Sequence, residues 1–265
     1  MKTVLYNGKR IAYRCEGVGP TLVFLHGFPM DHRVWDQFVI PFQQQFQTIM
    51  IDLPGFGASE LLAAEHPMWL MAQAVDAVLV AEKIEKALLI GHSMGGYVSL
   101  AYLKAFSAKL TGLVLFHSHA MPDDDVAKAS RAVALTQIDT DAVAYVSNFI
   151  NGLFSPDFDA KYPENVGRIK EIALEQQSSS VKAAVAGLRD RESQLQLLSE
   201  TKLPLLFILG KDDSRMPFAR IMAQLALPAH AELLLLGEVG HMGFEEAATI
   251  TSEAILHFAQ RFHCA

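Results

Sequence analysis

The chain has 265 residues and a mass of 29.2 kDa, with 51% hydrophobic and 19% charged residues. A composition this apolar supports a large buried core and excludes extended intrinsic disorder. The 22 Lys plus Arg and 29 Asp plus Glu give a formal net charge of −7. This balance argues against a nucleic-acid partner, because proteins that grip phosphates need a basic face.

The N-terminal residues contain no apolar stretch of signal-peptide length, and no apolar run approaches the ~18 residues that cross a bilayer. The two cysteines, Cys15 and Cys264, form no C-x-x-C pair, so neither a zinc site nor a redox motif is indicated. Free thiols fit a reducing compartment. The sequence therefore predicts a cytoplasmic protein without a membrane span, and it leaves open whether copies form a homo-oligomer.

The first elements predicted along the chain form a hairpin. Residues 3–6 and 10–13 flank Asn7-Gly8, a pair that tolerates the positive φ angles of a type I′ turn. Short apolar runs without alternation follow, and such runs are typical of strands buried on both faces of a parallel sheet. The runs cover residues 22–25, 48–51, 87–90, 112–116, 203–209 and 233–236.

Segments with helical spacing of apolar residues separate these runs. Strand–helix alternation of this kind predicts an α/β fold with helices on both faces of the sheet. With the hairpin included, we expect an eight-stranded, mostly parallel sheet. The predicted helices cover residues 34–45, with a kink at Pro41, and residues 68–81, 94–107, 216–226 and 244–262.

One interval, residues 119–200, contains no convincing strand and is rich in Ala, Gln, Ser and charged residues. A helical insert between two strands can cover the carboxyl ends of the sheet. We therefore predict a core of residues 1–118 and 201–265 with a helical cap of residues 119–200. The insert holds 8 Lys plus Arg and 13 Asp plus Glu, an acidity that disfavours strongly anionic substrates.

The strongest motif is Gly91-His92-Ser93-Met94-Gly95, which follows a predicted strand and precedes a predicted helix. It matches the G-x-S-x-G nucleophile elbow in the required context. The turn strains the serine backbone and leaves no room for side chains at the flanking glycines. The hydroxyl then stands at a helix N-terminus, where N–H groups favour developing negative charge. The motif predicts Ser93 as a nucleophile.

Acyl transfer also needs two N–H donors directed at the oxyanion of the tetrahedral intermediate. We predict one donor at Met94, the residue after the nucleophile. The other is expected at Phe28, in the loop after the strand of residues 22–25. We expect His26 in the same loop to brace it through hydrogen bonds, because it lies too early in the chain to be the base.

The nucleophile requires a base and an acid that orients the base, and for this elbow the order is Ser, acid, His. His241 follows the strand of residues 233–236 and is the predicted base. Asp212 and Asp213 follow the strand of residues 203–209. Because successive residues leaving a strand point in different directions, one of the two carboxylates should reach His241, and the residues alone do not choose between them.

These motifs together resemble the α/β-hydrolase superfamily, in the group with a helical cap and a short HG-aromatic oxyanion loop. The resemblance implies the α/β-hydrolase fold, and because the family places its acid three residues after a glycine, it implies Asp213. After the histidine the family often has Glu-x-Pro, whereas here Ala247-Ala248 follows Glu246, a departure that bears on the helix entry. The matching segments are His26-Gly27-Phe28, residues 52–59 and 91–95, Gly210-Lys211-Asp212-Asp213, Arg215-Met216-Pro217 and Gly240-His241.

The side chains that contact substrate are less defined by the sequence. His117 and His119 could share one side of a strand end, but two imidazoles without a third ligand fit pocket lining better than a metal site. With no dinucleotide or P-loop fingerprint either, we expect neither a metal nor a cofactor. The predicted pocket residues are His117, Met121, Tyr145, Phe149 and Met242.

We predict a serine hydrolase that cleaves a small-molecule ester-like bond through an acyl-enzyme, with carboxylesterase as the first interpretation. The resemblance also permits an enol-lactone hydrolase, a C–C bond hydrolase, or a cofactor-free perhydrolase or haloperoxidase. A hypothesis from another class is a non-catalytic small-molecule receptor, because the fold alone does not decide function.

Overall fold

The computed structural model describes residues 1–216 and 218–263, where eight strands form one sheet. The strands are β1 (Lys2–Tyr6), β2 (Lys9–Glu16), β3 (Thr21–Leu25), β4 (Gln47–Ile51), β5 (Ala87–His92), β6 (Leu110–Phe116), β7 (Pro204–Gly210) and β8 (His230–Leu236). Their order in the sheet is β1-β2-β4-β3-β5-β6-β7-β8.

The sheet is antiparallel at one edge and parallel through the rest. Strand β2 pairs antiparallel with both β1 and β4, and every later pairing is parallel. At the hairpin, Asn7 and Gly8 have φ angles of 50° and 75°, as a type I′ turn requires. The predicted eight-stranded, mostly parallel sheet is confirmed.

Ten α-helices of the described residues accompany the sheet. Helices α1 and α2 lie close to the predicted bounds of 68–81 and 94–107, whereas the later helices are shorter or more numerous than predicted. They are α1 (Met68–Ala81), α2 (Met94–Phe106), α3 (Asp125–Asn151), α4 (Pro156–Lys161), α5 (Pro163–Leu174), α6 (Ser178–Arg189), α7 (Leu195–Glu200), α8 (Phe218–Met222), α9 (Gly243–Glu246) and α10 (Ala248–Phe262).

The helix predicted over residues 34–45 is wrong. Two short 3₁₀ helices, His32–Trp35 and Ile40–Phe42, take its place. Pro41 supplies no N–H for a helical hydrogen bond, and it stands in the first turn of the second 3₁₀ helix, where that loss has no cost. The apolar residues that suggested a helix face instead belong to an aromatic cluster in the core.

Two further helix predictions need correction at their bounds. The helix predicted over residues 244–262 is divided, because Ala247 adopts φ −142° and ψ 43° between α9 and α10. The helix predicted over residues 216–226 consists of α8 followed by a 3₁₀ helix, Ala223–Ala226. Pro217, which is part of the family resemblance, and Cys264 lie outside the described residues.

The interval between β6 and β7 holds helices α3 to α7 and no strand within its described residues, as expected. Helix α3 is kinked at Asp141, whose φ of −155° and ψ of 89° are not helical and whose carboxylate accepts a hydrogen bond from the N–H of Ala144. The division of the chain into a core and a cap stays a prediction.

An aromatic cluster joins the sheet to the loops that follow it. The Trp35 ring lies 5.5 Å from the ring of Phe24 on β3 and 4.7 Å from that of Phe244 on α9. Phe244 lies 5.0 Å from the imidazole of His92 at the end of β5. These rings are fully or almost fully buried, so close packing of aromatic side chains supports the ends of the strands at the site.

No helix among the described residues combines the length and apolar character that crossing a membrane requires.

Two glycines test how tightly the helices of the β6–β7 interval pack. A Cβ on Gly187 of α6 would overlap the carbonyl oxygen of His66, whereas a Cβ on Gly167 of α5 meets nothing within 4 Å. We expect Gly187→Ala to lower the free energy of unfolding by about 1–3 kcal/mol through overpacking. Gly167→Ala should raise it by about 0.5–1 kcal/mol through helix propensity. Urea unfolding of both variants checks this, and a neutral Gly187→Ala would contradict the packing.

Candidate active site

The turn between β5 and α2 holds Ser93 in a conformation that few residues other than glycine adopt. Its φ is 51° and its ψ is −113°. A Cβ on Gly91 would overlap the backbone of Gly95, and a Cβ on Gly95 would overlap the carbonyl of Leu25. The two glycines therefore let the turn pack closely against itself and against β3, and they leave Ser93 at the N-terminus of α2.

His241 and Asp213 meet at the carboxyl ends of β7 and β8. The Nδ1 atom of His241 lies 2.8 Å from Oδ2 of Asp213, and both side chains are almost fully buried. Asp212, the other candidate acid, is exposed. The structure thus brings Asp213, not Asp212, to the imidazole.

The carboxylate of Asp213 accepts four hydrogen bonds. Oδ1 accepts from the backbone N–H groups of Arg215 and Met216 at 2.8 and 2.9 Å, and Oδ2 accepts from the imidazoles of His117 and His241. Burial alone would raise the pKa of Asp213, but the electrostatic interaction with His241 and the hydrogen bonds from the two imidazoles outweigh it and hold the pKa far below its usual range. Asp213 is therefore ionised at neutral pH.

The loop after β3 packs against the turn at Ser93, because a Cβ on Gly95 would overlap the carbonyl groups of Leu25 and His26. His26 braces this loop as expected, because its Nε2 accepts from the N–H of Leu53 at 2.9 Å. Among the described residues, neither the N–H of Phe28 nor that of Met94 donates a hydrogen bond to another protein group. Both donors remain available to a ligand.

A cavity of about 850 Å³ opens at these loops. Ser93, His241, Phe28 and Met94 all line it. Three of the predicted pocket residues line it from the β6–β7 interval: Met121, Tyr145 and Phe149. The Phe149 ring lies 5.2 Å from that of Phe28 in an edge-to-face arrangement, so this interval forms the wall opposite the sheet.

The other two predicted pocket residues, His117 and Met242, do not line the cavity. His117 has a φ of 47°, and its imidazole lies behind Asp213, fully buried. Met242 is also fully buried and packs in the hydrophobic core, while its N–H bonds to the carboxylate of Glu246. His119, two residues further along the chain, lines the cavity instead.

The charge of the cavity lining differs from that of the insert. Four arginines and three aspartates contribute to it, so the local balance is slightly positive although the insert is acidic. The carboxylate of Asp123 is bound by Arg131 at 2.6 Å and by Arg191 at 2.5 Å. The expectation that acidity would disfavour anionic substrates therefore does not describe the cavity. Its charged residues are Asp123, Asp124, Asp141, Arg131, Arg191, Arg215 and Arg220.

His92 and Glu246 hold the loop of His241 through hydrogen bonds. His92 donates from Nε2 to the carbonyl of His241 at 2.8 Å, and burial keeps its pKa well below the ordinary value, so it is neutral. Glu246 accepts from the N–H groups of Gly240, Met242 and Ser155 at 2.9–3.0 Å. The sequence indicated Glu246 through its position five residues after His241, where the resemblance implies a glutamate.

In the part of the chain that the structure describes, two buried groups of side chains have donor atoms close enough together for a metal ion: His117, Asp213 and His241, and Asp31, His32 and Asp52. In both groups the carboxylates are engaged in hydrogen bonds. Asp52, for example, accepts from the imidazole of His32 at 2.7 Å and from the N–H of Ala58 at 2.9 Å. The side chains of both groups are therefore held by hydrogen bonds.

Comparison with known proteins places this architecture in a family. The family model described as alpha/beta hydrolase fold matches residues 20–248. The chain belongs to the α/β-hydrolase family. The predicted family, fold and hydrolase class are thereby confirmed.

Relatives of this α/β hydrolase align with nearly its whole length. It is 25% identical over 264 residues to the pimeloyl-[acyl-carrier protein] methyl ester esterase of Vibrio atlanticus, which covers 94% of this chain and 98% of that protein. It is 24% identical to the AB hydrolase superfamily protein YisY of Bacillus subtilis, with 92% of each covered. A thermophilic esterase from Thermogutta terrifontis, solved with malate bound, superposes with a TM-score of 0.93 at 25% identity, covering 98% and 97%.

The three hydrogen bonds to Glu246 give a prediction for the histidine loop of this hydrolase. Glu246→Gln replaces one acceptor oxygen by an NH₂ group that faces backbone donors, so we expect a loss of about 1–3 kcal/mol in the free energy of unfolding. Urea denaturation measures it. The matched control is Glu253→Gln on the exposed face of α10, which should change stability by less than about 0.5 kcal/mol. Equal effects of the two substitutions would contradict the role of Glu246.

Proposed function

We propose that this α/β hydrolase is a serine carboxylesterase with Ser93 as nucleophile, His241 as base and Asp213 as the orienting acid. One observation carries the proposal: Ser93 and His241 line the same cavity, and Nδ1 of His241 bonds to an ionised, buried Asp213. A carboxylate can only accept, so Nδ1 of His241 carries the proton. The lone pair on Nε2 is then the one available to a serine hydroxyl.

The proposed reaction proceeds through an acyl-enzyme. Ser93 Oγ attacks the ester carbonyl carbon while His241 Nε2 takes the hydroxyl proton, and the imidazolium is stabilised by Asp213. His241 then gives the proton to the departing alkoxide, and the C–O bond to the alcohol breaks. A water molecule attacks the acyl group by the same route, which releases the acid and restores Ser93.

The N–H groups of Phe28 and Met94 are proposed to bind the oxyanion of both tetrahedral intermediates. Such donors act on charge that develops in the transition state, and each is worth about 3 kcal/mol in known hydrolases. The dipole of α2, which begins at Met94, favours the same negative charge.

The names of the relatives support ester hydrolysis, since the Vibrio atlanticus protein and the Thermogutta terrifontis protein are both called esterases. Lactone hydrolysis, C–C bond hydrolysis and perhydrolysis use the same nucleophile and stay alternatives that an assay panel separates. Because the lining holds four arginines, the panel should include esters that carry a carboxylate as well as neutral ones. The cytoplasmic location and any association of copies stay predictions.

The test of the proposal is loss of the hydroxyl. Ser93→Ala should lower kcat for p-nitrophenyl acetate by at least about 10³-fold, because the covalent route is closed. Ser130→Ala is the matched control, since Ser130 lines the same cavity and is exposed, and it should keep activity within about twofold.

A fluorophosphonate probe distinguishes the enzyme from a receptor on the same fold. Rapid labelling at Ser93 together with ester turnover supports the esterase. Ligand binding without turnover would support the receptor, and full activity of Ser93→Ala would overturn the assignment of the nucleophile.

A further inference from the structure

His117 is a second imidazole on the carboxylate of Asp213. It directly follows β6, is fully buried, and its Nδ1 lies 2.9 Å from Oδ2 of Asp213. The same oxygen accepts from His241 at 2.8 Å. The reaction described above makes no use of His117, although the fold brings it across 96 positions of the chain to this atom.

The hydrogen bonds of His117 determine its tautomer. The backbone N–H of Gly243 donates to Nε2 of His117 at 3.2 Å, so Nε2 is the acceptor nitrogen. The proton therefore lies on Nδ1 and is donated to Asp213. Burial lowers the pKa of His117 despite the opposing effect of Asp213, so the ring is neutral at neutral pH.

His117 has a left-handed backbone, and its ring is bonded to Asp213 and does not line the cavity. Its φ is 47°, in the left-handed region that few residues other than glycine adopt, although histidine does so more often than most. Its N–H is fixed by a 2.8 Å hydrogen bond to the carbonyl of Ile208 on β7. The surrounding structure therefore holds a strained residue in place, as is frequent at functional sites.

We propose that His117 is a positioning residue: its Nδ1–H fixes the Asp213 carboxylate and withdraws part of its charge from His241, which sets the pH at which the enzyme becomes active. This inference rests on the proposed function. The charged and titratable groups that face His117 are Asp213, His241, His92 and Glu246. His92 is neutral through burial, and Glu246 is engaged with backbone N–H groups, so Asp213 is the group through which His117 acts.

The sign of the effect follows from the shared oxygen. Without the donor at position 117, more of the negative charge on Asp213 is available to the protonated form of His241. Protonation of the base then becomes easier, and the acid limb of the kcat/KM profile moves to higher pH. KM should change little, because His117 does not line the cavity.

Three substitutions separate this role from packing. His117→Asn keeps an N–H donor near the position of Nδ1, and its acid limb should stay within about 0.2 pH units of wild type. His117→Phe keeps the ring without any donor. His117→Gln puts its amide near the position of Nε2, where the oxygen can accept from Gly243, and leaves no N–H at the position of Nδ1. For both we expect an upward shift of about 0.5–1 pH unit and a kcat lower by about tenfold. His257→Asn, on the exposed face of α10, is the control with no change.

A merely structural His117 would give unshifted profiles for His117→Phe and His117→Gln in an active enzyme, and that result overturns the proposal while the esterase assignment stands. Nitrogen-15 NMR of the wild-type imidazoles provides a readout that needs neither activity nor a folded variant. It should show His117 neutral with the proton on Nδ1. A proton on Nε2, or a doubly protonated ring at neutral pH, overturns the proposal independently of the function.

Discussion

The close packing of the turn at Ser93 is the constraint on which the rest of the site depends. Glycine at 91, 95 and 96 lets the turn pack against itself, the end of β3 and the side chain of Ser118. This contact fixes where α2 begins relative to the sheet, and Ser93 and Met94 both line the cavity at that point. The strain of a φ of 51° at serine is offset by burial of the surrounding strands.

The second constraint is the buried charge of Asp213. An isolated carboxylate in this position would be protonated, because burial disfavours the charged form. Four donors instead satisfy both oxygens, and they come from three separate segments of the chain that follow β6, β7 and β8. The charge thus ties the ends of three strands together, and it orients the one imidazole among its partners that reaches the cavity.

The parts of the fold that depend on local backbone shape were predictable from the sequence. Asn7-Gly8 indicated its turn and Gly91 to Gly95 indicated the elbow, because only a few residue types adopt those angles. The helix over residues 34–45 failed for a related reason, since Pro41 and the aromatic packing of Trp35 outweighed the helical spacing.

Contacts between residues distant in the sequence were predictable only where a motif indicated them. Asp213 and Asp212 could not be separated by spacing, because the direction of each side chain depends on the loop after β7. His117 was expected in the pocket, but its ring is bonded to Asp213 and does not line the cavity, and no periodicity indicates its positive φ. Periodicity does not indicate the position of Met242 either, because the backbone there is held by the hydrogen bond from the Met242 N–H to Glu246.

The arrangement of Ser93, Phe28 and Met94 is tested by the crystal structure of the protein after reaction with a small alkyl fluorophosphonate. We expect a covalent bond from Ser93 Oγ to phosphorus. One phosphoryl oxygen should lie about 2.7–3.1 Å from the backbone nitrogens of both Phe28 and Met94. A phosphonate attached to another residue, or a phosphoryl oxygen directed away from these two N–H groups, would contradict it.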